Sequence, residues 1–290
     1  MRRLRWIGLA AVGLLAAIPA TAAAGGAQSQ AEAEAIAKRL NYQGGTLAYQ
    51  DARVVMPEGY RFLGQADARR TLEDLYGNPP APDVVGLVVP PRSDVLTAPY
   101  VVVVTYEDDG HVSDKDAAGI DYTKMLATLQ KDEPKRNDER QRDGYPAVHL
   151  VGWAEQPHYE AATHKLFWAR DIRFADETTD VLNYDVRVLG RESTLSLEAV
   201  ADVKDLAAVR TGMQSVLQTS SFTTGRRYQD YQSGDRTSEW TVAALVAGGT
   251  YAAAKTGLIA LLLAKAKFLV VGVIALLGAA RRRIFAFRNA

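Results

Sequence analysis

Residues 181–201 read VLNYDVRVLGRESTLSLEAVA, and the reading of this stretch decides the fold. Val181 to Leu189 and Ser193 to Ala201 are strand-length runs, and Gly190-Arg191-Glu192 between them is a tight hairpin signal. Upstream, Ala147 to Ala154 and Lys165 to Phe174 have the same character and short polar connections, so the four runs predict an antiparallel meander. Downstream, Asp202 is placed to cap a helix over 203–218, in which Val203, Leu206, Val209, Met213 and Leu217 keep one apolar face.

The first half supplies further elements. Gln30 to Leu40 has helix composition, and short strands are predicted at 45–49, 52–55 and 59–63, with Pro57-Glu58-Gly59 as a turn. Asp67 can cap a helix from about Ala68 to Tyr76. Val84 to Val89 and Tyr100 to Tyr106 are apolar runs, the second (YVVVVTY) reading as a fully buried strand. Asp121 to Gln130 suits a helix that enters the charge run Lys131 to Asp143, read as a solvated helix end or loop. Strands and helices in blocks, without strict βαβ alternation, predict an α+β fold: a largely antiparallel sheet with flanking helices.

The two ends predict location. Arg2, Arg3 and Arg5 precede an apolar run from Ile7 to Ala20 and then small residues, the pattern of a secretory signal peptide over 1–24. Residues 27–240 are ample for one periplasmic domain. Residues 241–283 read as a C-terminal membrane segment and 284–290 as a cytoplasmic basic tail, with Arg281, Arg282 and Arg283 setting the orientation. The expectation is a single-pass protein of the bacterial inner membrane with a periplasmic ectodomain and a cytoplasmic C-terminus.

Lys255, Lys265 and Lys267 interrupt this segment. A span over 256–280 places Lys265 and Lys267 near mid-bilayer, where each costs about 2.5–3.5 kcal/mol on the insertion scale. A span over 242–264 has Lys255 near its centre and leaves 268–280 as an interfacial or re-entrant helix. Lysines in the membrane either snorkel or face a polar cavity or a neighbouring helix. The lipid bilayer is therefore the expected partner, with a protein partner or homo-oligomer formed through the membrane segment as the second.

Composition narrows the chemistry. With no cysteine, the chain can form no disulfide framework, thiolate metal site or cysteine nucleophile. All 34 acidic residues lie between signal and tail, whereas ten of the 34 basic residues lie outside, so the ectodomain carries a formal charge of −10. That charge argues against nucleic acid as a partner. The stretch Glu107 to Asp116 resembles a calcium loop around Gly110, but it lacks the leading Asp and the closing Glu, and a strand-to-helix turn with Asp114 as cap explains it better. No nucleophile elbow, helical zinc pair or glycine-rich phosphate loop is present. No catalytic residue, metal site or cofactor is predicted.

Two aromatic segments are more distinctive. GWAEQPHY over 152–159 is followed by LFWA over 166–169, and NYDVRVLGR covers 183–191. Trp153, His158, Tyr159, His164 and Trp168 are the candidate ligand-binding residues, as an aromatic cleft, although Trp153 and Trp168 could equally stack as ordinary cross-strand packing. Arg187 and Arg191 could meet an acidic ligand, against ion pairs with Asp185 or Glu192. In these motifs the chain resembles the DUF2167 family of bacterial membrane-anchored proteins, over nearly the whole mature length. The resemblance implies architecture and membrane anchoring, and no activity or catalytic residue. The resulting expectation is a non-enzymatic interaction or accessory component of a membrane complex. The alternative is a tethered periplasmic ligand-binding or hydrolytic domain.

Overall fold

The 181–201 hairpin forms and lies inside an eight-stranded antiparallel sheet. The computed structural model describes residues 30–248, apart from residue 79, residues 143–145 and residues 176–178. The predicted signal, Lys255, Lys265, Lys267 and Arg281 to Arg283 lie outside the described residues.

In chain order the elements are α1 (Gln30–Ala37), β1 (Tyr42–Gln43), β2 (Thr46–Tyr49), β3 (Ala52–Val55), β4 (Arg61–Gly64) and α2 (Gln65–Arg70), which continues into a π-helical turn, Thr71–Leu75. Then come β5 (Val84–Val89), β6 (Val101–Glu107), β7 (His111–Ser113), α3 (Tyr122–Lys131) and α4 (Glu133–Arg142). The second half holds β8 (Val148–Glu160), β9 (Lys165–Phe174), β10 (Val181–Leu189), β11 (Thr194–Asp202), α5 (Leu206–Gln218), β12 (Ser220–Phe222), β13 (Thr237–Thr241) and α6 (Val242–Ala247). The main sheet runs β1-β4-β5-β6-β11-β10-β9-β8, beside a three-stranded sheet β12-β3-β2 and a short parallel pair β13-β7.

Both faces of the main sheet are covered, and for that reason every residue of β10 is buried. On one face Val102, Val104, Leu182, Tyr184, Val186, Leu195 and Leu197 pack against Val209, Met213 and Val216 of α5 and against Leu47, Val54 and Phe222 of the small sheet. Each such side chain contributes about 1.5–3 kcal/mol. Gly212 lets α5 approach the sheet, because a Cβ there would lie 1.7 Å from Tyr100 Oη. That hydroxyl is 3.2 Å from Tyr60 Oη. On the other face Val101, Val103, Leu166, Trp168, Ile172, Val181 and Val200 meet Ala33 of α1, Ala68 and Leu72 of the α2 region, Met125 and Leu129 of α3, and Val242 and Val246 of α6.

Two local expectations are corrected. The helix expected from about Ala68 begins at Gln65 with Gly64 as its N-cap; Asp67 lies in its first turn and accepts from Asn41 N and Arg70 Nη1. The charge run is not simply a solvated end. It forms α4, in which Glu133 accepts from Leu150 N, Asn137 exchanges hydrogen bonds with the Val148 backbone, and Arg140 donates to the Pro146 carbonyl. Its polar side chains thus satisfy the otherwise open backbone near the start of β8.

Candidate functional site

The five aromatic and histidine residues singled out in the sequence are not brought to one place. β8 contains three register shifts against β9, and each bulge re-aims the side chains beyond it. Trp153 lies opposite Arg170, not Trp168; it packs on the helix-covered face and donates from Nε1 to the Tyr122 carbonyl at 3.1 Å. Trp168 is fully buried in that same core. His158 is exposed and tilts against Phe167 at 5.0 Å. Only Tyr159 and His164 converge.

They do so with residues the sequence reading did not group with them. Tyr159 Oη donates to Asp114 Oδ2 at 2.7 Å. That hydroxyl has one proton, so His164 Nδ1–H donates to its oxygen across 3.1 Å, leaving Nε2 as the basic nitrogen. The His164 ring stacks on Tyr228 at 4.0 Å; the other neighbour of Tyr228 is His111 at 4.4 Å, which stacks in turn on Tyr231 at 4.0 Å. His111 Nδ1 donates to the Arg191 carbonyl at 3.0 Å. His164 holds a left-handed backbone, φ 51°, in the β8–β9 turn. Burial pushes its pKa down, against the pull of Asp114. Burial, and then Asp114, push the Tyr159 hydroxyl up, so it stays a donor. Arg191 does not pair with Glu192 as expected; it forms a bidentate pair with Asp235 at 2.7 Å per contact. That pair fastens the segment carrying Tyr228 and Tyr231.

The second concentration of polar groups lies on the helix-covered face of the main sheet. Alternation puts Asn183, Asp185 and Arg187 of β10 on this face with Trp168 and Arg170 of β9, Ser196 and Glu198 of β11, and Glu107 of β6. Arg187 donates to Glu198 Oε1 at 2.8 Å, sits 3.4 Å from Asp185 Oδ1, and stacks its guanidinium 5.2 Å above the Trp168 ring. Ser196 Oγ donates to Glu107 Oε1 at 2.8 Å. Desolvation pushes all three carboxyls up against the pull of Arg187, Glu198 to about 7. Both Asp185 oxygens, both Asn183 polar atoms and Trp168 Nε1 are buried without a protein hydrogen-bond partner.

Arg170 joins this network to the end of the described chain. Its Nη2 donates to the Val246 carbonyl of α6 at 2.5 Å. At the opposite end of α6, Asp116 accepts from Val242 N at 3.3 Å and from Ala243 N at 2.9 Å, and Thr241 Oγ1 accepts from Ala244 N. Val242, Ala243, Ala244, Val246 and Ala247 are buried, and Gly248 ends the turn at φ 66°. The first turn of the region read as membrane segment is thus packed into the folded domain. Among the described residues no helix is long and apolar enough to cross a membrane, and no three His, Cys, Asp or Glu side chains are grouped to hold a metal ion.

No curated protein matches this sequence. Among solved structures, similarity is found to a cyanobacterial PsbP from Synechocystis sp. PCC 6803 at 10% identity and TM-score 0.36, covering 60% of this chain and 87% of that one. The Ran-binding protein Mog1p of Saccharomyces cerevisiae is similar at 12% identity and TM-score 0.35, covering 63% of this chain and 96% of that one. Likenesses this distant carry nothing about function. The family match is of another kind: residues 41–278 fit the family described as "Protein of unknown function (DUF2167)", which spans the sheet, the stacked His–Tyr cluster and α6 alike, and the chain belongs to that family.

Proposed function

We propose that the protein is a membrane-anchored envelope component, a non-enzymatic interaction or accessory part of a membrane complex, whose domain is held in a set posture on its anchor. The observation that carries this reading is the docking of α6, fixed at one end by Asp116 and at the other by Arg170. A domain meant only to be displayed could hang on a flexible linker. Here α6 ends at Gly248, the last described residue, eight positions before Thr256. Eight residues reach at most about 29 Å. With residues 242–247 packed in the domain, a span over 256–280 is the better of the two membrane segments, and its Lys265 and Lys267 then favour a neighbouring helix as partner.

Crosslinking in native membranes, followed by identification of the adduct, tests this. The expected result is a reproducible adduct, to another protein or to a second copy, whose yield falls when residues 242–248 are replaced by a Gly/Ser linker. A chain that fractionates away from membranes, or that yields no adduct, overturns it.

A second reading, a tethered ligand-binding or hydrolytic domain, draws on the Asp114–Tyr159–His164 chain and its basic Nε2. Turnover of ester substrates by the wild type and its loss in His164→Gln would support that reading. Equal background rates would remove the hydrolytic form of it.

A further inference from the structure

We propose that Glu107, Asp185 and Glu198 form a proton-binding site whose occupancy decides whether Arg170 holds α6 in place. The argument begins with charge. In the polar stripe the carboxyls of Asp185 and Glu198 are buried with two guanidinium groups, Arg170 and Arg187, and Glu107 lies half-buried at their edge. Other charges lie beside the stripe. Asp109, next to Glu107, feels Arg236, which is itself paired with Asp108, and the like charges of Asp108 and Asp83. Arg136 of α4, which senses Arg170, faces Asp132 and Glu133 and donates to the Leu129 carbonyl. α6 itself contributes only carbonyl and apolar groups here. Arg187 acts on all three carboxyls and Arg170 on Asp185 and Glu198, so the group carries one more negative than positive charge, and the economical remedy is one proton retained on the buried pair.

The retained proton has a mechanical consequence because Arg170 has two possible partners. Asn183 lies directly across from Arg170 and Asp185 directly across from Trp168, so Arg170 and Asp185 are diagonal neighbours on adjacent strands, within reach of an arginine side chain. Asp185 is also the foremost charge acting on Arg170 after burial itself. With the proton bound, the cluster is neutral and Arg170 donates to Val246. When the proton leaves, the excess negative charge falls beside Asp185, whose oxygens lack a close hydrogen bond, Arg187 Nη2 standing 3.4 Å from Oδ1. A carboxylate is a stronger acceptor than a peptide carbonyl. Arg170 therefore turns to Asp185, and the C-terminal end of α6 loses its tie while Asp116 still holds the N-terminal end.

This deepens the proposed role by giving the anchor posture a control, and it rests on α6 opening the anchor. Its test needs no partner, so its failure is distinguishable from failure of the crosslinking. Hydrogen exchange is measured on the full chain in nanodiscs at pH 6 and pH 8.5, corrected for intrinsic rates, on a peptide covering residues 242–247, with β10 and β11 peptides reporting the fold. The expected result is an α6 protection roughly 10-fold lower at pH 8.5, the equivalent of one charge-assisted hydrogen bond, with β10 and β11 unchanged. Asp185→Asn and Glu198→Gln should each abolish that pH dependence. Equal α6 protection at both pH values in the wild type, or folded variants that keep the wild-type pH dependence, overturns the proposal. If a variant loses β10 and β11 protection, the wild-type profile decides alone.

Discussion

Arg187→Met keeps an unbranched apolar stem and removes the cation that touches both Asp185 and Glu198. Asp185 and Glu198 sit 3.4 Å and 2.8 Å from that guanidinium, and Glu107 acts on it from β6, two strands away. Without it, the buried carboxyls of Asp185 and Glu198 face Arg170 alone. Breaking a buried pair in this way costs about 3–5 kcal/mol, because the partners remain desolvated and uncompensated. Losing the cation over the Trp168 ring adds to this. Against a domain stability of about 5–15 kcal/mol, the variant would be folded but marginal. The penalty arises from charged carboxylates, so it should shrink as they protonate. The wild type has its own dependence, whose sign follows from Glu198. Its native pKa is raised from 4.5 to about 7, so between those values the native state holds a proton the unfolded chain has released. Wild-type stability therefore falls as pH rises through that window, by about 1.4 kcal/mol per pH unit for one proton. Urea unfolding followed by tryptophan fluorescence, at pH 5 and pH 7.5, reads both effects. A loss below about 1 kcal/mol in Arg187→Met, or one equal at the two pH values, would refute the reasoning.

Three further outcomes are expected. Gly212→Ala drives a methyl into Tyr100 Oη and should lower stability by about 1–3 kcal/mol through overpacking, read as a drop in urea midpoint with an unchanged slope; a neutral effect would mean α5 can lift away from the sheet freely. Asp116→Ala removes the carboxylate that accepts from Val242 and Ala243 and should cost about 0.5–2 kcal/mol, with faster hydrogen exchange confined to α6; exchange that rises equally across the sheet would show that α6 is not a separable unit. His164 titrates below its ordinary value, so its contribution to stability is present above pH 6.5 and is lost as pH falls from there through its lower folded value, opposite in sign to the carboxyl cluster; Tyr159→Phe cuts its link to Asp114, and a His164 titration curve by NMR identical in the two proteins would remove the coupling.

The meander was legible because its signals are local. Gly190-Arg191-Glu192 closes a hairpin whose pairing runs from Leu189–Thr194 to Val181–Asp202, and the α5 face expected from Val209, Met213 and Leu217 is the face it buries. What escaped depends on distant partners. β7 has three residues and pairs in parallel with β13, more than a hundred positions later, so nothing near His111 announces a strand. The candidate cleft failed for a related reason. A period of two cannot see bulges, and the shift between Leu150 and Gly152 puts Leu150 and Trp153 against the same core although they are three apart. Tyr159 and His164 were visible as residues, but their partners Asp114, Tyr228 and His111 come from two other segments. The stripe Asn183, Asp185, Arg187 alternates with apolar residues as a solvent-facing strand would. Only the distant helices and α6 bury it.

That burial is the feature of the molecule most in need of a reason. Replacing a buried ion network by apolar residues of similar volume is often neutral or stabilising, so stability alone does not account for four buried ionisable groups under one helical layer. The sheet does not lack apolar material, since its opposite face is filled by Leu182, Val186, Leu195, Leu197 and their neighbours. The charged groups are concentrated where the last described turn of the chain docks, and the hydrogen bond from Arg170 to Val246 joins residues 76 apart in sequence. An apolar floor would bind the short apolar turn Val242–Ala247 in many registers with similar energy. A guanidinium that must find one carbonyl, and a carboxylate at Asp116 that must find two amides, accept one register. The polar stripe then acts as a locator for α6, and the proposed proton on its carboxyls makes that location responsive to pH.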